Sequence, residues 1–364
     1  MIKVLVLGPS FFFKGGVTNY LELLIKNLEK DDFHVKYFPH GVTPSKLKNI
    51  FIPFVVLLQL IKLIRTLNKF QPDVVHINPS LALGAIIRDF IFLTVVRVNR
   101  CPVLLFIHGW QETISSRFEK KGFWKKFFKN LFNKADKIVV LADQFKEKLV
   151  NLGINREKIF VTSTMVESNR YFPHDKKFLR PYKILTCTDM IKEKGVFELL
   201  EAAPKILKKT PDLKFIFVGN GKDLVELKQK TKKMSLEKNF VFTGYVSGEE
   251  KINIFKNAHI FVFPSYTEGF PTVILEAMAA GAALIFTPVG GLVDTMVDGK
   301  NGYVVKSMPP NPEEIAKKII QLVENPRVMI KMSENNLLEA KEKYDARSLS
   351  EEIRKIYEQI FCQY

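Results

Sequence analysis

Two glutamates eight positions apart are the strongest candidates for chemistry in this sequence, and both lie in FVFPSYTEGFPTVILEAMAAG, residues 261–281. Glu268 belongs to a loop after an apolar strand, and Glu276 lies on the helix that follows, for which Pro271 suits the first position. The free amides of such a helix start can hold an anion. Because Glu276 has apolar neighbours, its carboxylate is expected to be buried and to need partners. With 25 glutamates, chance gives about one or two such pairs, so the context rather than the spacing carries weight.

Three more positions combine a strand end with a helix start. Gly15 and Gly16 lie in GPSFFFKGGVTNY, where their amides could approach a phosphate, although glycine could equally serve the turn alone. Lys194 follows the strand ILTC and could meet a diphosphate as a point charge, although a single lysine is more often a solvated surface residue. Neither Gly-x-Gly-x-x-Gly nor a P-loop occurs, so both standard nucleotide fingerprints are absent.

Two histidines occupy comparable places. His108 follows the strand VLLFI, and His76 ends DVVH. In open α/β sheets ligands bind beyond the carboxyl ends of the strands, which favours a role for such residues. A histidine there can instead be a hydrogen-bonded structural residue. We favour a functional role for His108 and leave His76 open.

Short apolar runs alternate with helical patterns along most of the chain. This rhythm predicts an α/β protein with parallel sheets covered on both faces. The predicted strands are Val4–Leu7, Val74–Ile77, Val103–Ile107, Ile138–Leu141, Ile159–Thr162, Ile184–Cys187, Phe215–Val218, Phe240–Thr243, Ile260–Phe263, Ala283–Phe286 and Tyr303–Val305. The predicted helices include Val17–Leu28, Phe123–Asn133, Val196–Lys208 and Asp223–Met234.

The chain is long enough for two cores. The polar stretch Thr164–Tyr182 predicts a linker between two doubly wound Rossmann-like domains, residues 1–168 and 169–347. Two capping boxes are expected, one formed by Ser247 with Glu250 and one by Ser348 with Glu351. The second box begins a helix within residues 348–364. No strand follows that helix, so it must dock on a part that is already folded.

Charge is distributed unevenly. Residues 1–180 hold 29 basic and 14 acidic side chains, whereas residues 181–364 hold 26 and 24. Three widely spaced cysteines predict a reducing compartment without a disulfide framework. The opening MIKVLVLGP is interpreted as a buried strand rather than a signal peptide. No uncharged stretch reaches the roughly 20 residues of a spanning helix. A cytoplasmic location is therefore expected.

The basic excess includes a candidate for contact with an anionic membrane surface. Residues 117–137 form a basic, aromatic, amphipathic pattern of the kind that lies on such surfaces. Ile50–Ile64 is a second candidate, while the alternative for both is a helix that lines the core of its domain. Nucleic acid is not expected as a partner because no recognised binding motif occurs. The candidate membrane residues are Lys120, Lys121, Trp124, Lys125, Lys126 and Phe128.

Taken in order, KEKGVFELLEA, FIFVGNG, FVFTGYVS and FPSYTEGFPTVILEAMAAG resemble the family-4 retaining glycosyltransferases of group 1. The resemblance implies the GT-B fold, with two Rossmann-like domains, a cleft between them and the C-terminal helix returning to the first domain. It further implies that Glu276 binds the ribose hydroxyls of a nucleotide-diphosphate sugar and that Glu268 faces the sugar. His108 would lie near the sugar on the acceptor side. The remaining donor residues implied are Gly15, Gly16, Lys194, Gly244, Val246, Gly269, Phe270 and Pro271.

The resemblance has one departure. Many members carry Gly-Arg where this chain has Thr188-Asp189, and an acidic group near a diphosphate is unfavourable unless it points away. No Asp-x-Asp occurs, so no metal site and no required cofactor are expected. The expected reaction is transfer of a sugar from UDP- or GDP-hexose to a lipid-linked or other glycan acceptor. The context would be assembly of surface polysaccharide such as lipopolysaccharide, on the inner face of the plasma membrane. A nucleotide-sugar epimerase of the same fold and a membrane-associated scaffold without transfer activity remain alternatives.

Overall fold

The structure is a computed structural model that describes residues 1–12, 15–29, 33–40, 52–80, 83–109, 122–173 and 176–364. It forms two compact units. The first comprises Met1–Thr164 and Ala346–Tyr364, and the second comprises Met165–Asp345. The chain therefore leaves the first unit once and returns to it once. Lys120 and Lys121, two of the candidate membrane residues, lie outside the described residues.

The first unit contains a sheet of six parallel strands in the order β2-β1-β3-β4-β5-β6. The strands are β1 (Ile2–Gly8), β2 (Phe33–Pro39), β3 (Val74–Ile77), β4 (Val103–Ile107), β5 (Lys137–Val140) and β6 (Ile159–Val161). The helices of this unit are α1 (Gly16–Leu28), α2 (Ile52–Phe70), α3 (Leu83–Val98), α4 (Phe123–Asn133), α5 (Asp143–Leu152) and, at the end of the chain, α14 (Ala346–Phe361).

One face of this sheet buries a single hydrophobic cluster. Alternate strand residues such as Leu5, Val75 and Leu105 meet apolar residues of α2, α3, α4 and α5, including Leu63 and Phe128. Side chains alternate between the two faces of a strand, and on the other face Phe106 meets Tyr20 of α1 while His76 meets Tyr357 of α14. Burial on both faces explains why the central strands read as continuous apolar runs.

The second unit repeats the architecture with the strand order β12-β11-β10-β7-β8-β9. Its strands are β7 (Lys183–Cys187), β8 (Lys214–Val218), β9 (Phe240–Gly244), β10 (Ile260–Phe263), β11 (Ala283–Phe286) and β12 (Gly302–Val304). Its helices are α6 (Ser168–Tyr171), α7 (Val196–Lys209), α8 (Leu224–Lys233), α9 (Gly248–Lys256), α10 (Thr272–Ala279), α11 (Leu292–Thr295), α12 (Pro312–Glu324) and α13 (Pro326–Lys343). Neighbouring strands in both sheets pair in parallel, so each sheet gathers the carboxyl ends of its strands at one edge.

The C-terminal helix α14 packs in the first unit, against α1 and β3. Its Tyr357 is fully buried, and the hydroxyl lies 2.6 Å from His76 Nδ1. The unit boundaries fall at 164/165 and 345/346, whereas the sequence predicted 168/169 and 347/348. The first shift arises because α6 contacts α10 and α9 of the second unit.

The structure corrects several local expectations. Ser247 precedes α9 but makes no side-chain capping bond, and Ser348 lies inside α14, which begins at Ala346. Pro271 is the residue before α10 rather than its first helical residue. The predicted linker contains the short helix α6. Strand β2, which the sequence analysis missed, alternates between buried and exposed residues and forms the edge of its sheet.

Candidate functional site

Glu276 is buried on α10 and has two partners. The carboxylate accepts a hydrogen bond from the Tyr171 hydroxyl at 2.9 Å and lies 2.7 Å from Lys251 Nζ. Burial, followed by the Glu276 charge, raises the pKa of Tyr171 far above its usual range, so the hydroxyl keeps its proton and donates. Burial lowers the pKa of Lys251, but the Glu276 carboxylate outweighs that effect and the net shift is upward. The buried charge that the sequence required is thus neutralised by a lysine.

Glu268 forms the second charged pair of this edge. Its carboxylate accepts hydrogen bonds from Lys194 Nζ at 2.5 Å and from the Ser265 hydroxyl at 2.9 Å. Lys194 ends a short 3-10 turn after β7, and Glu268 follows β10, the strand beside β7 in the sheet. The structure therefore brings together two residues that the sequence proposed separately, 74 positions apart.

Two glycines allow the loops of this edge to touch. Gly195 has a positive φ of 71°, and a Cβ atom there would lie 2.0 Å from the Pro264 carbonyl oxygen. Gly290 has a φ of 55°, and a Cβ atom there would lie 2.0 Å from the Gly269 carbonyl oxygen. The Gly291 amide then donates to that same oxygen at 2.7 Å. The loops that carry Lys194 and Glu268 are consequently held by backbone contacts that leave no room for a side chain.

The other proposed donor residues of this unit line the same edge. Phe270 is buried against the Tyr344 ring, with 6.2 Å between centroids. Gly244 ends β9, and its carbonyl accepts hydrogen bonds from the Gly219 amide and the Thr243 hydroxyl. The Gly244 carbonyl is thus already used within the unit, and Val246 beside it is buried.

Asp189, the departure from the family pattern, is exposed to solvent just after β7. Its backbone carbonyl accepts a hydrogen bond from the Ile191 amide. An exposed carboxylate retains its hydration and is screened by solvent, so its cost to a nearby anion is modest. Exposure is therefore compatible with the condition that this residue must point away from a diphosphate.

In the first unit, Gly15 and Gly16 begin α1 at the carboxyl end of β1. Gly15 is the N-cap residue with an extended backbone, and its amide donates to the Thr18 hydroxyl at 2.9 Å. The Gly15 amide is therefore engaged by the protein itself. Gly16 is exposed at the first helical position, where backbone amides lack intrahelical partners.

His108 has a tautomer that its neighbours determine. Asn78 Nδ2 donates to the Leu7 carbonyl at 2.9 Å, so Asn78 Oδ1 faces His108 Nε2 at 2.7 Å as an acceptor. His108 Nε2 must then carry the proton, which leaves Nδ1 as an acceptor. Burial, followed by the proximity of His76, lowers the pKa of His108 to about 3. At neutral pH this imidazole is uncharged and is suited to accept a hydrogen bond rather than to transfer a proton.

His76 is a structural residue. It lies within β3 rather than at its end, is fully buried and contacts Tyr357 of α14. Burial lowers its pKa to about 3. The residue that follows this strand is Asn78. The predicted strand Val74–Ile77 already ended one residue before Asn78, so the strand-end rule pointed to Asn78 rather than to His76.

The basic helix α4 is partly a core element. Phe128 is completely buried and packs in the first cluster, so its assignment to a membrane surface was wrong. Helical geometry puts Phe123 and Trp124 on another side, where both are exposed. Lys126 is also exposed, and Lys125 is half-buried.

Sequence inspection missed Tyr171, Lys251, Ser265 and Asn78. Asn78 directly follows β3 and Ser265 is the second residue after β10, so the strand-end rule was sufficient to find them. Tyr171 and Lys251 lie 105 and 25 positions from Glu276 and carry no local motif. The sequence indicated only that such residues must exist, because a buried carboxylate needs hydrogen-bonding partners.

Two family models match consecutive parts of the chain. The model described as glycosyl transferases group 1 matches residues 168–339, and the model described as glycosyltransferase family 4 matches residues 14–170. Both models describe glycosyltransferases, and together they span residues 14–339, so the chain is a glycosyltransferase. The resemblance drawn from the sequence motifs is thereby confirmed, and so is the assignment as a transferase.

Curated relatives of this glycosyltransferase cover most of its length. An uncharacterized glycosyltransferase of Methanocaldococcus jannaschii is 26% identical to this chain, and the alignment covers 99% of each protein. The capsular polysaccharide biosynthesis glycosyltransferase CapM of Staphylococcus aureus is 25% identical over 82% of this chain and 80% of its own. The family's homologues thus include enzymes of capsular polysaccharide biosynthesis.

A solved structure shows the same fold. The HepE protein of Anabaena, solved in complex with UDP, matches with a TM-score of 0.77 at 17% identity, over 98% of this chain and 100% of its own. The predicted GT-B fold, with two parallel sheets of Rossmann type, is confirmed. No helix among the described residues is both long and apolar enough to cross a membrane.

Proposed function

We propose that this glycosyltransferase moves a hexose from a UDP- or GDP-sugar to a lipid-linked or oligosaccharide acceptor, with retention of configuration, in cell-surface polysaccharide biosynthesis. The Lys194–Glu268 pair, at the same sheet edge as buried Glu276, carries the proposal. The pair supplies a cation for a diphosphate and one carboxylate for sugar hydroxyls, and Glu276 supplies a second carboxylate. The UDP bound to HepE supports a nucleotide diphosphate as the donor's leaving group.

The donor roles follow from the chemistry of each group. Glu276 accepts hydrogen bonds from the two ribose hydroxyls, with Tyr171 and Lys251 holding its carboxylate. Glu268 and the backbone of residues 269–271 face the transferred sugar. Lys194 turns from Glu268 toward the diphosphate. The backbone amides at the start of α1 also donate hydrogen bonds to the diphosphate. The Gly244–Val246 segment meets the base.

Transfer itself requires one bond to form and one to break at the anomeric carbon. The acceptor oxygen attacks on the face from which the diphosphate leaves, which preserves the configuration. The acceptor proton passes to the departing phosphate oxygen, and Lys194 and backbone amides stabilise the charge that develops there. Front-face displacement is what the family resemblance implies for this step.

The first unit contributes His108 as a hydrogen-bond acceptor. Nδ1 accepts a hydrogen bond from a hydroxyl group of the sugar, because Asn78 holds the proton of the imidazole on Nε2. A neutral imidazole orients the sugar without adding positive charge near the anomeric carbon. His108 therefore contributes through position rather than through proton transfer.

The acceptor is proposed to be held in or at a membrane. The first unit carries 28 basic and 15 acidic side chains against 27 and 23 in the second, so the attraction for an anionic surface belongs to the first unit. The donor motifs lie mainly in the second unit, so donor binding does not account for the basic excess of the first unit. The proposed location is the inner face of the plasma membrane.

A thermal-shift screen against nucleoside diphosphates and their sugars, at fixed salt, tests the donor assignment. A stabilising UDP- or GDP-sugar is expected, and unchanged melting with every nucleotide tested would contradict the proposal. Product analysis then separates the enzyme alternatives. An epimerase converts the donor without an acceptor, whereas the transferase needs one. Vesicle binding without nucleotide binding would favour the scaffold alternative.

A further inference from the structure

The outer sides of three helices in the first unit form an apolar surface. Eight large apolar side chains are between 38% and 74% exposed there. Such exposure is unfavourable, because removal of apolar groups of this size from water lowers the free energy. They come from α2, α3 and α4, and we name this set the outer apolar surface: Phe54, Leu57, Leu58, Ile61, Ile87, Ile91, Phe123 and Trp124.

The three helices are neighbours in one layer. Helix α2 packs on α3, and Phe90 of α3 meets Phe127 of α4 with 5.2 Å between ring centroids. Helix α2 is apolar on both sides, since Leu63 and Leu67 are buried in the core while the residues at 54, 57, 58 and 61 face outward. These outward positions follow the spacing of one helical face. Core packing explains only the inner side of α2.

Charge identifies the partner that this surface fits. The three helices contain eight Lys and Arg, whereas their one acidic residue, Asp89, is buried and paired with Arg88 at 2.7 Å. Lys62, Arg65 and Lys126 are exposed beside the apolar groups. Apolar side chains, a tryptophan and cations, on three helices whose one carboxylate is buried and paired, fit an anionic lipid surface.

We propose that the outer apolar surface docks this enzyme on an anionic bilayer, with α2 as the main inserted element and α4 contributing Phe123 and Trp124. The inference rests on the proposed function, because an acceptor held in a membrane requires the enzyme at that membrane. It also replaces the sequence-based view of the contact. Phe128 is excluded as a core residue, and α2 becomes more important than α4.

Vesicle sedimentation tests the docking surface. The full chain is mixed with vesicles of phosphatidylcholine alone or with about 30% phosphatidylglycerol. We expect binding to the anionic vesicles that weakens as salt is raised. A variant with Leu57→Ser, Leu58→Ser and Trp124→Ser should bind at least about tenfold more weakly. Leu338→Ser, which alters an equally exposed leucine of the second unit, should bind like the wild type.

Three results would overturn the inference: no binding of the wild type, equal binding of the triple variant, or equal binding to neutral and anionic vesicles. Light scattering adds a fourth, since a wild-type dimer that becomes monomeric in the triple variant would show that the surface joins two copies. The assay contains neither donor nor acceptor, so its outcome is independent of the proposed transfer. Thermal unfolding without ligand checks that the triple variant is folded, since its Tm should stay close to that of the wild type.

Discussion

The two sheets of this glycosyltransferase share a topology but differ in the chemistry at their carboxyl edges. In the second unit, both key carboxylates are paired with lysines, Glu276 with Lys251 and Glu268 with Lys194. In the first unit, the strand-end residue His108 is an uncharged imidazole held by Asn78. The same scaffold therefore carries lysine–glutamate pairs in one unit and a neutral histidine–asparagine pair in the other.

The two units differ in how burial of a polar side chain is compensated. The glutamates are paired with lysines, whereas the histidine stays uncharged. In the proposed donor site, an incoming diphosphate would take over the Lys194 cation that Glu268 already holds. A sugar hydroxyl needs no such charge, and burial keeps the His108 imidazole uncharged at neutral pH.

Replacing Glu276 with Ala is expected to weaken donor binding most. Two charge-assisted hydrogen bonds to the ribose would be lost, which costs about 3 kcal/mol or about 100-fold in Kd. Calorimetry with the nucleotide sugar found in the screen measures the effect.

Glu339→Ala is the matched control for stability. Glu339 is as buried as Glu276 and also pairs with a lysine, Lys300, at 2.5 Å. Both variants leave a lysine without its buried partner and should lower Tm. Only Glu276→Ala should change Kd, and wild-type donor affinity in that variant would refute the assignment.

Replacing Lys194 with Ala should weaken binding of a nucleoside diphosphate by about tenfold, because one point charge is removed from the phosphate site. The affinity for the unphosphorylated nucleoside should stay unchanged, which distinguishes loss of charge from collapse of the loop. Lys222→Ala removes an exposed lysine of the same unit and serves as the control. An equal loss for nucleoside and diphosphate would show that Lys194 acts only on the loop.

Replacing Asn78 with Asp should make activity sensitive to acid. A carboxylate beside His108 Nε2 would raise the histidine pKa from about 3 toward or above its ordinary value. The wild-type imidazole stays neutral between pH 5.5 and 8, so it adds no pH dependence there. In the variant, protonation at lower pH puts a hydrogen on Nδ1 and abolishes acceptance. We expect kcat/KM to fall by about tenfold between pH 8 and pH 5.5.

Asn99→Asp is the control for that experiment, because Asn99 is exposed in the same unit and its side-chain amide donates to the Val95 carbonyl rather than to a histidine. Its pH profile should match that of the wild type. If the Asn78→Asp profile also matches the wild type, Asn78 does not determine the protonation state of His108.

Replacing Tyr171 with Phe should have the smallest effect. Glu276 would lose one of its two partners but keep Lys251, so donor Kd should rise by about threefold to tenfold while kcat stays near wild type. Tyr303→Phe removes a hydroxyl elsewhere in the same unit, where it accepts from Gln321, and should leave Kd unchanged. A fall in kcat at constant Kd would instead assign Tyr171 to the transfer step.

The sequence predicted the central strands well because they are buried on both faces and read as uninterrupted apolar runs. It missed β2, whose alternating exposure weakens that pattern. It found Glu268 and Glu276 through one contiguous motif, yet it did not reveal that Glu268 bonds to Lys194. Side-chain partners from distant elements depend on how strands are ordered in the sheet, which local patterns do not encode.

Helical phase explains the error at Phe128. Each residue of an α-helix turns about 100° from the one before, so Phe123 and Phe128 point about 140° apart. The run of five aromatics in α4 hides which side faces the core. Helix α2 shows the same ambiguity in stronger form, because its apolar residues occupy both sides.

The close backbone approaches at Gly195 and Gly290 have a consequence for altering this enzyme. Any larger residue at either position meets a carbonyl oxygen of the opposing loop, so neither tolerates a side chain. A library designed to change the donor sugar should hold both glycines constant. Useful diversity lies in side chains that project from this frame, such as Thr267, Tyr245 and Asp189. At this edge of the sheet, close backbone contacts determine which positions must stay glycine, and the exposed side chains are the positions that can be varied.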